Sequence, residues 1–256
     1  MRILFVGDIV GACGRSVVMK QVPQWKKEKQ VDLVIVNGEN SAHGKGITRK
    51  IYHQLLDCGV DLITMGNHTF SKDTIYSFIE EADHLVRPVN LLPLEGGVGY
   101  RIVECKGLKV CVVNLMCEVF MVQVAASPFV CMNEILNEVE ADVFFVDLHG
   151  EATSEKIAFS YFFEEDVAAV VGTHTHVQTA DERVENGCAF ISDVGMCGAY
   201  HSVIGRDIDE VLTRFTTKEK TRFKVAEGEA LFCAVIIDID ENTKRATAIE
   251  RIQIRP

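Results

Sequence analysis

No apolar run in the chain approaches the ~20 residues that a membrane helix needs; stretches such as Val143 to Val146 and Phe232 to Ile237 are among the longest. The opening MRILFVGDIV carries one basic residue and a short apolar run that Asp8 ends, with no small-residue cleavage site after it. It is therefore not read as a signal peptide, and a cytoplasmic protein is expected. Positive charge is scarce: 26 Lys and Arg stand against 37 Asp and Glu, a net charge of −11 among 256 residues. That balance excludes a broad electropositive surface for duplex DNA or an acidic membrane. It leaves room for one small phosphate-bearing substrate held through metal ions. No CxxC pair occurs among the nine cysteines, an odd number, and Cys111 and Cys233 lie inside apolar strand-like runs. Buried, reduced thiols are expected rather than a cysteine zinc site. With five prolines, no linker, no low-complexity tract and no repeat, a single domain over residues 1–256 is expected.

What is present has the proportions of an ordinary globular protein, 48% apolar and 25% charged. The first half alternates β-rich runs (Ile3 to Gly7, Asp32 to Asn37, Asp61 to Met65) with helical patterns at Arg49 to Asp57 and Ser71 to Ala82. In the second of these, Ile75, Phe78, Ile79 and Ala82 fall at i, i+3, i+4 and i+7. Pro23 should kink or end the first helical stretch. Arg101 to Cys105 and Leu108 to Asn114 flank Lys106-Gly107 as a hairpin, and Ser127-Pro128 opens a helix striped by Met132, Ile135, Leu136 and Val139. Asp142 to Leu148, a helix near Ser154 to Phe163, Val167 to Gly172 and Cys188 to Ser192 restore the alternation. A helix from Asp207 to Phe215 and a hairpin of Leu231 to Ile239 with Ala246 to Ile254 complete the chain. These patterns predict an α/β sandwich of mixed sheets with helices on its outer faces.

Each apolar strand is followed by a polar residue able to ligate metal. Asp8 follows the first, Glu39 and Asn40 the second, and Asn67 with His68 the third; His149 follows Val143 to Leu148, and His174 and His176 follow Val167 to Thr173. Ligands of α/β sheets sit beyond the carboxyl ends of strands, so these side chains can converge on one edge. Imidazole, carboxylate and amide oxygen together suit Mn, Fe or Zn. A carboxylate such as Glu39 can bridge two cations, and two ions about 3.5–4 Å apart lower the pKa of a shared water and neutralise a phosphate during in-line displacement. In extended geometry His174 and His176 would point to the same side, each toward one metal.

The blocks Gly7-Asp8, Gly38-Glu39-Asn40, Gly66-Asn67-His68, His149 and Gly172-Thr173-His174-Thr175-His176 resemble those of calcineurin-like metallophosphoesterases. GENSAHGKGIT (38–48), GNHTF (66–70), HGEATSEK (149–156), VVGTHTHVQTADER (170–183) and DVGMCGAYHSVIG (193–205) make the chain look more closely like the bacterial YmdB family of dinuclear phosphodiesterases. That resemblance implies a four-layer α/β/β/α sandwich. It implies one metal on Asp8, Glu39, Asn40 and His176 and another on Glu39, Asn67, His149 and His174. His68 would be the acid that protonates the leaving oxygen after attack by a hydroxide shared between the metals. Substrates would be phosphodiesters including 2′,3′-cyclic nucleotides, with an indirect link to RNA turnover and a homo-oligomeric state. The wider superfamily has D-x-H at its first block, whereas Asp8-Ile9-Val10 offers no second imidazole. With Asn40 in its place, an oxygen-richer site favours iron or manganese over zinc. Phe70 stands where Trp is common, and Gly150 where Ala is frequent.

Other readings fit less. Gly7 to Gly14 has G-xxx-G-xx-G spacing rather than the dinucleotide G-x-G-x-x-G, and places Asp8 where a pyrophosphate would sit. Gly38 to Lys45 misses the P-loop spacing, with Gly46 where Ser or Thr must follow. No G-x-S-x-G elbow is present. The alternative to an enzyme is a metal-containing regulatory protein that senses RNA or phosphate. His43, His201 and Asn114 are weaker candidates for substrate contact, and Asp193 for support of a ligating histidine.

Overall fold

A computed structural model describes residues 1–256. In chain order the amino-terminal half runs β1 (Arg2–Val6), β2 (Asp8–Ile9), α1 (Gly11–Glu28), β3 (Leu33–Asn37), α2 (Arg49–Asp57), β4 (Leu62–Thr64) and β5 (Leu85–Val86). It continues with β6 (Tyr100–Cys105), β7 (Leu108–Met116), α3 (Pro128–Glu138), β8 (Val143–His149), α4 (Thr153–Phe163) and β9 (Ala169–Thr173). The remainder is β10 (Arg183–Glu185), β11 (Cys188–Ile191), β12 (Met196–Ala199), α5 (Ile208–Thr217), β13 (Ala230–Ile239) and β14 (Ala246–Ile254). One sheet has the order β2-β12-β13-β1-β3-β4-β5 with β14 on β13; the other is β10-β11-β9-β8-β7-β6. Both are mixed. β1, β3, β4 and β5 run parallel while β13 is antiparallel to β1, and β7, β8, β9 and β11 run parallel while β6 and β10 are antiparallel neighbours.

Side-chain alternation makes three cores from two sheets. Ile3 and Phe5 of β1 and Leu33 and Ile35 of β3 face Val110, Val112, Val143 and Phe145 of the second sheet. Their neighbours Leu4, Val6, Val34 and Val36 pack under Val18, Val22 and Leu55 of α1 and α2. On the far side Cys111, Val113, Phe144 and Val146 pack under Met132, Ile135, Phe159 and Phe163 of α3 and α4. Strands covered on both faces read as continuous apolar runs, as β1, β3 and β8 do. The result is the expected four-layer α/β/β/α sandwich. All nine cysteines are free, and no helix is long and apolar enough to cross a membrane.

Two local expectations take a definite form. Of the two outcomes expected at Pro23, an end to the helix is not what occurs: α1 continues through Pro23 to Glu28, with one backbone donor fewer. Ser71 to Ala82 is not an α-helix but two 3₁₀ turns, Asp73–Ser77 and Ile79–Glu81, broken at Phe78 (φ −149°). Ile75, Phe78, Ile79 and Ala82 are still buried. Their periodicity recorded burial, and short 3₁₀ turns satisfied it as well as a helix would.

Candidate metal centre

The two sheets present their carboxyl-terminal strand ends at a common rim. Asp8 lies just past β1, Glu39 and Asn40 past β3, and Asn67 and His68 past β4. From the other sheet come His149, the last residue of β8, and His174 and His176, just past β9. Parallel register sets His149 opposite Thr173, so the two neighbouring strands deliver their histidines at one level.

Asp8, Glu39, Asn40 and His149 are buried. His149 Nδ1 lies 2.8 Å from Thr173 Oγ1, whose hydroxyl donates to Asp147 Oδ1 at 2.7 Å. The threonine oxygen therefore accepts from Nδ1, and Nε2 is the nitrogen turned into the site. There it meets Asn67 Oδ1 at 2.9 Å, His174 Nδ1 at 3.1 Å and Glu39 Oε1 at 3.4 Å. His176 repeats the pattern. Its Nδ1 donates to Ile204 O at 2.9 Å, and Nε2 faces Asn40 Oδ1 at 3.2 Å and Asp8 Oδ1 at 3.9 Å. Asp8 Oδ2 accepts from the His174 N–H at 3.2 Å, while Asp8 Oδ1 is buried without a hydrogen-bond partner. Glu39 Oε2 accepts from the His68 N–H at 2.9 Å. The extended geometry expected of the paired histidines is not found. His174 and His176 have left-handed backbones (φ 107° and 66°), a strained conformation that aims both rings inward.

Lone pairs crowd this rim with few protons between them, an arrangement that a cation relieves. Glu39, His149 and His174 alone place one ligand atom each within 4.8 Å of one another. Gly66 keeps the space open: a Cβ there would stand 2.4 Å from both Glu39 Oε2 and His149 Nε2. Without a cation, a proton does part of the work. Burial opposes the charged form of His149, yet the negative charges of Glu39, Asp8 and Asp147 outweigh it and push its pKa up to about 9. Burial likewise opposes ionisation of Glu39, but His149 and its hydrogen bond hold that carboxyl well below the usual range. Burial and the charge on His149 depress His174 to about 3. Asp8 is pushed up to about 7, chiefly by burial. The donor set fits metal ions, with protons as partial substitutes.

His68 stands apart from this cluster. Its Nδ1 lies 3.1 Å from Ser71 Oγ, and its ring lines a cavity of about 260 Å³ with Glu39, Asn40, His174 and His176. Burial lowers its pKa and the charge of Glu39 opposes the shift.

A family model of YmdB-like proteins matches residues 4–252. The chain belongs to the YmdB-like family. It is 46% identical over 257 residues to a 2′,3′-cyclic-nucleotide 2′-phosphodiesterase of Bacillus subtilis (strain 168), covering 99% of this chain and 97% of that protein. Its fold matches a crystal structure of a Thermus thermophilus protein described as hypothetical, with TM-score 0.94 and 38% identity over 100% of this chain and 99% of that one. A structure described as a novel phosphatase, from Mycoplasma pneumoniae, matches with TM-score 0.96 and 36% identity, covering 100% and 93% of the two chains.

Within this YmdB-like fold the weaker candidates separate. His43 and His201 are exposed and do not line the cavity. Asn114 is buried between the sheets, accepting from Met65 N–H at 3.2 Å and donating to Asp147 O at 3.2 Å. Asp193 touches no histidine ring; it accepts from the Thr175 N–H at 2.9 Å and so holds the loop between His174 and His176. Sequence reasoning missed Lys156, which is fully buried and donates to Thr173 O at 2.8 Å, Ser192 O at 2.9 Å and Asp193 Oδ2 at 3.3 Å. A signal was available, since Lys156 shares a helical stripe with Phe159, Ser160 and Phe163. Glu151, 3.2 Å from His174 Nε2, and the cavity residues Ile204, Arg206 and Phe223 were missed too. Glu151 and Ile204 lay in recognised blocks without an assigned role, and Phe223 lies in a segment with no periodicity.

Proposed function

We propose that the chain is a metal-dependent phosphodiesterase hydrolysing small phosphodiesters, 2′,3′-cyclic nucleotides among them, in the cytoplasm and from one domain. The observation that carries this reading is the buried convergence of Asp8 Oδ1, Glu39, His149 Nε2 and His176 Nε2 beside His68, a histidine outside the donor cluster. The 46% identity to a phosphodiesterase across nearly the whole chain supports it. Asp8, Glu39, Asn40 and His176 would hold one ion and Glu39, Asn67, His149 and His174 the other, with iron or manganese favoured by the oxygen-rich first set. Bound there, the ions would neutralise phosphate charge and lower the pKa of water.

The chain's own groups do the rest. Thr173 and Ile204 fix which imidazole nitrogen of His149 and His176 faces inward. Glu39 anchors the backbone of His68, and Ser71 engages Nδ1 of that ring, leaving Nε2 to hand a proton to the leaving oxygen.

Protein purified with Mn²⁺ should hydrolyse 2′,3′-cyclic AMP and bis-p-nitrophenyl phosphate, with turnover lost on chelation and in Glu39→Gln. Elemental analysis of the protein as purified distinguishes iron from manganese. Metal uptake without turnover above the Glu39→Gln background would overturn the enzyme reading in favour of a metal-containing regulatory protein.

A further inference from the structure

When a 2′,3′-cyclic nucleotide opens, the oxygen that leaves phosphorus stays attached to the ribose. The nucleoside therefore lies on the side of the group that protonates that oxygen. Given the phosphodiesterase reading, on which this inference rests, that group is His68, and His68 lines the cavity beside the metal centre. A second cleft borders the site at Asn67, with Phe70, Tyr76 and Leu92 in its wall, but His68 does not line it.

Across a cavity otherwise lined by ligating and polar groups, Val10, Ile204 and Phe223 form an apolar wall with Arg206. Ile204 is 47% and Phe223 38% exposed, so apolar surface is left open beside a polar centre. Phe223 is held in place from several directions. The Arg206 guanidinium lies 4.9 Å from its ring centroid, and Glu210 pins that guanidinium through Nη2 at 2.6 and 2.8 Å. Gly44, in the loop that carries Asn40, has φ +82°, and a Cβ on it would stand 2.7 Å from the Phe223 ring. The strand-like segment bearing Phe223 is tied by Asp207 N–H to Lys224 O at 3.0 Å and Ala226 N–H to Gly205 O at 2.9 Å. Ile204 contributes twice, since its carbonyl also orients His176. An aromatic fixed this firmly, bordering the cavity that also holds the acid and flanked by Arg206 at 4.9 Å and Lys45 Nζ at 5.4 Å from its ring centroid, offers a heterocycle apolar contact beside a guanidinium plane.

We propose that the wall of Phe223, Ile204 and Arg206 is the nucleobase subsite, and that Phe223 sets the preference for nucleotides over cyclic diesters lacking a base. Steady-state kinetics of the Mn²⁺-loaded full chain on 2′,3′-cyclic AMP and on glycerol 1,2-cyclic phosphate, which has no base, test it. Phe223→Ala should raise KM for cyclic AMP about tenfold with kcat little changed. The same variant should leave the glycerol diester within about twofold of wild type. Phe223→Tyr should restore the lower KM, and Tyr76→Ala, in the other cleft, should have no effect on it. Equal changes on both substrates, an unchanged KM for cyclic AMP, or a KM effect in Tyr76→Ala instead would overturn the subsite while leaving the phosphodiesterase standing. Wild-type protein inert toward both cyclic diesters would overturn the phosphodiesterase reading and the subsite with it.

Discussion

At Asp8 burial and charge pull against each other. The carboxyl has no solvent exposure and one oxygen without a partner, and burial pushes its pKa up to about 7. An acid whose folded pKa is raised contributes stability that is complete below its unfolded pKa of about 4 and lost as pH rises through the folded value. Metal-free protein should therefore lose stability relative to Asp8→Asn between about pH 4 and about pH 7, as thermal melts in chelator would record. A cation removes the penalty and also displaces the proton of His149, so metal affinity should climb from about pH 4 on toward about pH 9 with release of protons, measurable by calorimetry in buffers of different ionisation heat. His68 makes a different demand. His68→Ala should lower kcat on 2′,3′-cyclic AMP by about 10²–10⁴-fold with metal content retained. The loss on bis-p-nitrophenyl phosphate should be smaller, because p-nitrophenolate departs without a proton. Equal losses on the two substrates would remove His68 from the acid's role.

Among the elements, α4 supports the metal centre through one side chain, Lys156. Lys156 sits in its apolar stripe and reaches under β9 to Thr173 O, while its partner Asp193 holds the Thr175 N–H and, at 2.8 Å, the Gly195 N–H. Gly195 O in turn accepts from the Asp8 N–H at 2.9 Å. One buried ion pair thus supports the histidine loop and the Asp8 turn together. Lys156→Met leaves Asp193 buried and unpaired and should cost about 3–5 kcal/mol of stability in denaturant unfolding. Adding Asp193→Asn should recover part of the loss; no recovery would show that the ion pair is not the cause. The same elements show what the sequence made readable. Strand ends were legible because a β-run that stops at Asp, Asn or His leaves a sharp change from apolar to polar, as at Asp8, Asn67 and His149. Short pairing segments such as β5 (Leu85–Val86) and β12 (Met196–Ala199) carry too few residues for a period to emerge. The Ser71 to Ala82 stripe showed burial and not helix type. Arg206 and Phe223 reach the cavity through tertiary contacts of irregular loops, which no local spacing encodes.

At the scale of the whole molecule, the proposed ligands are divided between two sheets that otherwise meet through apolar packing. Asp8, Glu39, Asn40 and Asn67 extend from the sheet containing β1, β3 and β4, and His149, His174 and His176 from the sheet containing β8 and β9. The apolar interface below them is crossed by buried polar contacts: Asp147 of β8 accepts from Asn37 Nδ2 at 3.1 Å and Thr64 Oγ1 at 2.5 Å on the opposite sheet, and Asn114 of β7 accepts from the Met65 N–H at 3.2 Å. A cation gripped from both sides would fasten the sheets along their shared rim, so its binding energy should oppose separation of the layers and global unfolding. Mn²⁺ at about 100 times its dissociation constant should add about 2.7 kcal/mol to the unfolding free energy, read from denaturant curves with and without chelator. Glu39→Gln, which weakens the proposed bridge between the two sets, should lose most of that increment. Hydrogen exchange gives the sharper test. Metal should slow exchange in β1 and β3 as well as in β8 and β9, because opening either sheet breaks the same centre. Protection confined to one sheet would mean that the ligands do not share ions across the seam.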